Sequence, residues 1–169
     1  MPVAKHFPGH GLTSVDSTAP CRIRPRRSTT WSAASSCRSG AVLAAGCPAV
    51  LVAHVRYRAL DPELPGSLSP AVVTGLLRRH LGFDGFVLSD DLEMAAVAGT
   101  WGVADAARRF LGAGGDLALI CRSEEYRSQA LATIEREIER GALDPAPAAR
   151  RRRAIRRLID AAGRRRTSR

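Results

Sequence analysis

Short apolar runs alternate with amphipathic runs along this chain, and the alternation limits the folds that it can adopt. Strand-like runs occur at residues 2–7, 49–55, 86–88 and 116–121, with a long irregular segment after the first. Strands and helices alternating at this spacing predict right-handed βαβ units and a parallel sheet. About four parallel strands with helices fit either a small open α/β sheet or half of a (β/α)8 barrel. In both folds functional residues collect at the carboxyl ends of the strands.

The helices are indicated by capping residues and by apolar side chains at helical spacing. Ser69 and Pro70 begin the first helix, which ends near His80. The second covers residues 103–111 and ends at a Gly-rich turn, Ser123 caps a third that continues to about Arg140, and a last helix covers residues 148–162. The predicted apolar stripes are Val72, Val73, Leu76 and Leu77 in the first helix and Ala130, Leu131, Ile134 and Ile138 in the third.

Polar side chains follow three of the predicted strands. Lys5 and His6 end the first, His54 ends the second, and Ser89, Asp90 and Asp91 come directly after Leu88. Two adjacent carboxylates at the tip of a buried strand repel each other and lose solvation, so this placement favours chemistry over stability. Ser89 or Asp90 could instead cap a helix beginning near Leu92. The residues alone leave both interpretations open.

The net charge of +10 is concentrated at one end of the chain. Ten arginines and one acid, Asp160, lie between Arg150 and Arg169, and the rest of the sequence is close to neutral. The body of the protein therefore does not have the composition of a nucleic-acid-binding surface. An alternative is a nucleic-acid-binding module that uses this Arg-rich segment in a salt-sensitive way. However, aromatic stacking residues do not accompany the arginines, so a solvated terminal helix explains them equally well.

The remaining composition narrows the class of protein. An apolar fraction of 45% is typical of a globular domain, and no run of about 18 apolar residues predicts a membrane span. Because the N-terminus has no signal-peptide core, we expect the protein to be cytoplasmic. The four cysteines lack C-x-x-C spacing and are expected to be free thiols. Neither a metal site nor a Gly-rich loop for an organic cofactor is indicated.

Two motifs in order resemble glycoside hydrolase family 3, in its bacterial β-N-acetylhexosaminidase branch. They are KHFPGHG at residues 5–11 and SDDLEM at 89–94, supported by Asp16-Ser17, AHV at 53–55 and LGFDG at 81–85. The resemblance covers about residues 1–20 and 41–125. It implies a partial TIM-like barrel domain at residues 1–145, formed from the second half of the family barrel, followed by an Arg-rich tail at 146–169. It also implies cleavage of terminal β-linked N-acetylglucosamine from a small glycoside or muropeptide during peptidoglycan recycling, without a cofactor.

Carried over residue by residue, the resemblance assigns roles to the polar strand ends. Asp90 corresponds to the nucleophile of a retaining mechanism, which forms a covalent glycosyl-enzyme. Lys5 and His6 match the pair that hydrogen-bonds sugar hydroxyls. His10 lies in the loop that closes over the sugar, where a structural role is an equal alternative. His54 faces the same mouth and is expected to contact substrate.

The sequence departs from the family at the general acid/base. The branch has Asp-Ser-His on this loop, with the His exchanging a proton and the Asp orienting it, whereas this chain has Asp16, Ser17 and Thr18. Losing such a group typically costs about 10²–10⁴ in rate. Residues 17–40 are aperiodic, as two compensating frameshifts would make them. The alternative to an enzyme is therefore an inactive remnant. Half a barrel also leaves open sheet edges, which predicts self-association.

Overall fold

The computed structural model describes residues 2–9, 43, 45–153 and 155–156. The predictions for His10, Asp16, Thr18 and residues 17–40 lie outside the described residues, as does most of the Arg-rich tail. The elements are strands β1 (Ala4–Phe7), β2 (Ala49–Val52), β3 (Phe86–Asp91) and β4 (Leu117–Leu119), a 3-10 turn (Gly66–Leu68), and helices α1 (Ala71–His80), α2 (Ala95–Trp101), α3 (Val103–Gly112) and α4 (Glu124–Glu139).

The four strands form one parallel sheet in the order β1-β2-β3-β4, which confirms the predicted α/β class. Strand β3 is longer than predicted and continues through Ser89 and Asp90 to Asp91. Its outer residues remain in the ladder because Ser89 pairs with Val52 and Asp91 pairs with Leu119. The polar residues are therefore part of the strand itself, and sheet pairing on both sides holds their backbone in place.

A single apolar layer joins the sheet to helices α1 and α3. The predicted face of α1 is confirmed, because Val72, Val73, Leu76 and Leu77 are all buried. They pack in one cluster with strand residues and with Phe110 of α3. The turns of α1 are wide, and the N–H of Leu81 donates to the carbonyl of Leu76, five residues earlier. None of the helices in the described part of the chain is both long and apolar enough to cross a bilayer.

The helix boundaries test two caps that were considered from the sequence, one at Ser89 or Asp90 and one at Ser123. Helix α2 begins after Met94 without a side-chain cap, so the interpretation of Ser89 or Asp90 as a cap is wrong. Ser123 caps α4 as predicted, since its hydroxyl accepts a hydrogen bond from the N–H of Tyr126. The apolar stripe of α4 is narrower than predicted, because Ala130 is buried but Leu131 is 58% exposed.

The beginning of the Arg-rich segment packs against the body of the protein. Residues 146–153 are helical, and Nε of Arg151 lies 2.6 Å from Oδ1 of the buried Asp116. Ile155 is 9% exposed and packs with Ala49 and Phe86. The interpretation of this segment as a solvated helix is therefore wrong at these two positions. The boundary at residue 145 remains a prediction.

Candidate active site

The carboxyl ends of β1 and β3 bring two of the predicted site residues together. Oδ2 of Asp90 lies 3.7 Å from Nε2 of His6, and the two side chains are 21% and 32% exposed. The other carboxylate oxygen, Oδ1, accepts a hydrogen bond of 3.0 Å from the N–H of Asp91. Asp90 therefore has one oxygen held by the backbone that follows it and one turned towards an imidazole.

The end of β1 carries the remaining predicted contact residue. Lys5 is exposed beside His6, and the bonds Lys5–His6 and Phe7–Pro8 are both cis. The loop after the strand includes Gly9, whose carbonyl accepts a hydrogen bond of 2.6 Å from the hydroxyl of Tyr57. The loop after β2 thus holds the loop after β1.

His54 lies just beyond β2 and is only 4% exposed. Its Nδ1 is 2.7 Å from Oγ of Ser67, and its Nε2 is 3.0 Å from the carbonyl oxygen of Asp91. A carbonyl can only accept, so Nε2 carries the proton and the Ser67 hydroxyl donates to Nδ1. Both ring nitrogens are thereby used within the protein. The expectation that His54 contacts substrate does not fit this placement.

The protonation of His54 follows from the same surroundings. Burial lowers the pKa of His54 from its ordinary value of 6.5, although the Asp91 carbonyl and the Asp90 carboxylate act in the opposite direction. The ring is therefore neutral at neutral pH, in agreement with a hydroxyl donating to Nδ1.

Glu93 joins the loops that follow β3 and β4. Its carboxylate accepts hydrogen bonds from the backbone N–H of Arg122, at 2.6 Å, and of Ser123, at 3.0 Å. Desolvation raises the pKa of Glu93, but these N–H groups outweigh it and the net shift is downward. In the neighbouring turn, Oδ1 of Asp91 accepts from the N–H of Glu93 at 3.1 Å.

These contacts form a series that we call the edge ties: Tyr57 to Gly9, His54 to Asp91, and Glu93 to Arg122 and Ser123. Each tie joins the carboxyl ends of two adjacent strands or the loops that follow them. Tyr57, Ser67 and Glu93 were not predicted from the sequence. Tyr57 and Glu93 bind backbone groups and Ser67 binds a ring nitrogen, which leaves no side-chain pattern to find, although Glu93 does lie within the SDDLEM motif.

Other candidate sites in the described residues are weaker. No group of three or more His, Cys, Asp or Glu side chains there could hold a metal ion. Burial raises the pKa of the Cys121 thiol, and the nearby Asp91 carboxylate raises it further, so this cysteine is a poor nucleophile. A cleft of about 400 Å³ is lined by Gly115, Asp116 and residues of α4. It lies at the amino end of β4, away from Asp90.

Comparison with known proteins agrees with this geometry. The sequence matches the family model for the glycosyl hydrolase family 3 N terminal domain over residues 1–160. It is 40% identical over 125 residues to a beta-hexosaminidase of Xylella fastidiosa strain M23, covering 73% of this chain and 37% of that protein. A beta-hexosaminidase of Thiobacillus denitrificans is 37% identical over 131 residues, covering 78% and 36%.

The fold is similar to solved structures of the same kind. A family 3 beta-N-acetylglucosaminidase from Paenibacillus sp. str. FPU-7 superposes with a TM-score of 0.83 at 33% identity, over 99% of this chain and 31% of that chain. The beta-N-acetylglucosaminidase from Thermotoga maritima gives 0.75 at 31% identity, over 95% and 35%. The chain thus spans about a third of the length of these relatives.

Proposed function

Because this chain belongs to glycoside hydrolase family 3, we propose that it contributes the nucleophile-bearing part of a β-N-acetylhexosaminidase. The proposed substrate is a terminal β-linked N-acetylglucosamine on a small glycoside or muropeptide. The single observation that supports this most directly is the pairing of Asp90 with His6, at 3.7 Å. The partly exposed carboxylate of Asp90 lies at a strand end beside the imidazole of His6, which could donate a hydrogen bond to a sugar hydroxyl.

The proposed reaction proceeds in two displacements with retention. Oδ2 of Asp90 attacks the anomeric carbon, a bond forms between them, and the bond from that carbon to the aglycone oxygen breaks. The aglycone oxygen takes up a proton. Water then attacks the same carbon, loses a proton to the solvent, and releases the sugar and Asp90 as a carboxylate. His6 and Lys5 would bind hydroxyl groups of the sugar, and His10 would lie in the loop above it.

The source of that proton distinguishes two candidate functions. Thr18 stands where the resemblance places a histidine, and Asp16 would then have no imidazole to orient. A threonine hydroxyl does not exchange protons near neutral pH. A second candidate is therefore an inactive relative that has kept the fold and Asp90. Substrates with good leaving groups separate the two, because departure of a nitrophenolate does not need a general acid.

The test is hydrolysis of 4-nitrophenyl N-acetyl-β-glucosaminide by the full chain. We expect slow turnover that is abolished by Asp90→Asn, which removes the nucleophile and retains the shape of the side chain. Thr18→His should raise the rate on a substrate with a poor leaving group by about 10²-fold or more. Turnover that survives Asp90→Asn would remove Asp90 from its role. No turnover by either the parent or Thr18→His would favour the inactive relative.

Three further expectations belong to this proposal. Strands β1 and β4 each pair with only one strand among the described residues, and Leu117 of β4 is 41% exposed. Unpaired edges of this kind support self-association, which sedimentation over a concentration series would test.

The other two expectations are residence in the cytoplasm and a role in peptidoglycan recycling. Cell fractionation would test the first, and the release of N-acetylglucosamine from muropeptides would test the second.

A further inference from the structure

We propose that His54 is a positioning residue that fixes the backbone beneath the Asp90 carboxylate, and that it does not bind substrate. The inference rests on the role proposed for Asp90 and adds the group that orients it. It is carried by the contacts of one peptide unit, the one that joins Asp91 to Leu92.

That peptide unit is held from both neighbouring strands. Its carbonyl, on Asp91, accepts from Nε2 of His54 at 3.0 Å, on the β2 side of the strand. Its N–H, on Leu92, donates to the carbonyl of Leu119 in β4 at 2.9 Å. The same carbonyl of Asp91 also accepts from the N–H of Met94 at 3.0 Å, so both of its lone pairs are used.

The backbone of Asp91 directly orients the side chain of Asp90, the proposed nucleophile. The N–H of Asp91 donates to Oδ1 of Asp90, which sets the direction in which the opposite oxygen points. Oδ2 is the oxygen that lies towards His6. A rotation of the backbone at Asp91 would therefore turn the attacking oxygen away from the position where a sugar would bind.

The imidazole of His54 is held in place at its second ring nitrogen, Nδ1. The Asp91 carbonyl requires the proton on Nε2, so Ser67, which is fully buried, donates its hydroxyl to Nδ1 and holds the ring from its other nitrogen. The backbone of the 3-10 turn is bonded to the loop that carries His54, from the N–H of Ser67 to the carbonyl of Ala53 at 3.1 Å. Ser67 thus bonds to His54 and His54 to the carbonyl of Asp91, while the N–H of Asp91 bonds to Asp90. The covalent backbone of Asp91 links these hydrogen bonds, and only Asp90 among the four residues is proposed to react.

The experiment is NMR on the full-length chain, because this readout does not depend on turnover. Ring nitrogen spectra should show His54 as a single neutral tautomer with its proton on Nε2. Ser67→Ala should keep that tautomer, because the Asp91 carbonyl still requires a donor, and should shift the Nδ1 resonance, which loses its hydrogen bond. The Asp91 amide proton reports the bond to Asp90. Its shift should change in His54→Phe and return towards the parent value in His54→Gln, whose amide can both donate and accept.

Thr74→Val is the matched control. Like His54, Thr74 donates to a distant backbone carbonyl, that of Ala113 at 2.6 Å, but this bond joins α1 to the end of α3. The substitution should lower stability without moving the Asp91 amide. A proton on Nδ1 of His54, or an Asp91 shift in His54→Phe no larger than that in Thr74→Val, would overturn the inference.

If the parent hydrolyses an aryl glycoside, His54→Phe should lower kcat by about 10- to 100-fold with little change in KM. A rise in KM alone would instead indicate substrate contact. An inactive parent would count against the proposed function only, since the NMR result stands by itself.

Discussion

His6 and Asp90 meet across the width of strand β2, with Nε2 of the imidazole 3.7 Å from Oδ2 of the carboxylate. The distance is longer than a hydrogen bond and leaves both groups partly exposed. An imidazole at this distance can act on a sugar hydroxyl while its ring stays close to the nucleophile. The pair therefore places binding and bond formation at one end of the sheet, and the first prediction follows from it.

Replacing His6 by Ala should lower kcat/KM for an aryl N-acetyl-β-glucosaminide by about 10- to 100-fold, the usual cost of losing a hydrogen bond to a charged or polarised group. The measurement is steady-state kinetics on the full chain. His80→Ala is the control, because His80 is exposed at the end of α1. Equal losses in the two variants would show that His6 has no specific role.

Stability should fall as the pH is lowered through the range in which an unfolded histidine takes up a proton. Because burial lowers the pKa of His54 from 6.5, the unfolded chain binds more protons than the folded one below that value. The stabilising effect of the neutral ring is complete above about pH 6.5. It is then lost as the pH falls towards the folded-state pKa, by at most about 1.4 kcal/mol per pH unit.

The measurement for this prediction is the urea midpoint of unfolding between about pH 7.5 and pH 5. Paired carboxylates such as Asp105, whose pKa is lowered by the arginines beside it despite some desolvation, affect stability only at lower pH. His54→Gln should be less stable than the parent at neutral pH and show a shallower slope. An unchanged slope in His54→Gln would rule out His54 as its source.

Replacing Asp116 by Ala should destabilise the fold by about 3–5 kcal/mol, because it leaves two partly buried arginines without the buried carboxylate that pairs with them. Asp116 has a fully buried side chain that lies 2.7 Å from Nη2 of Arg78 and 2.6 Å from Nε of Arg151. It also accepts from the N–H of Val87 in β3. Chemical denaturation measures the loss.

Asp105→Ala is the control for Asp116. Asp105 also pairs with two arginines, Arg108 and Arg109, but on an exposed face of α3 where about a third of each side chain is accessible. Its loss should cost no more than about 1 kcal/mol. Similar losses for the two aspartates would mean that burial does not govern the Asp116 pair.

Replacing Gly115 by Ala should cost about 1–3 kcal/mol, because an added Cβ would collide with the ring of the fully buried Phe110. Gly112→Ala, in the last turn of α3, meets nothing within 4 Å and should be neutral or slightly stabilising. Thermal unfolding of the two variants checks the difference. A Gly115→Ala protein as stable as Gly112→Ala would mean that Phe110 can move aside.

Much of the fold follows from local sequence. The apolar face of α1, the Ser123 cap and the parallel pairing of four strands depend on spacing and on neighbouring residues, and these were predicted correctly. The length of β3 was not, because Asp90 and Asp91 look like the end of a strand until their neighbours in the ladder are known. The exposure of Leu131 likewise depends on what lies opposite α4, which spacing alone does not specify.

The proximity of Asp90 and His6 was predictable to the same degree, whereas their roles remain predictions. The SDDLEM and KHFPGHG motifs singled out both residues, and the parallel sheet explains why their strand ends are close. His54 was assigned to substrate because it ends a strand that faces the same mouth. Its burial depends on Ser67, thirteen residues later, and on the carbonyl of a residue on another strand. No pattern within one segment contains that information.

The edge ties have an asymmetry that affects how such a protein can change over time. In each tie a side chain binds main-chain atoms near the end of an adjacent strand, so the bond does not require a particular side chain at the receiving position. Asp91, Arg122 and Ser123 could each be replaced by a residue other than proline and these bonds could still form. Gly9 is restricted for a separate reason, its positive φ of 142°. Tyr57, His54 and Glu93 supply the side chains that make the ties. Among descendants of one ancestor, the ties should therefore leave single invariant positions and no pairs that change together. Methods that infer contacts from correlated substitution would overlook them.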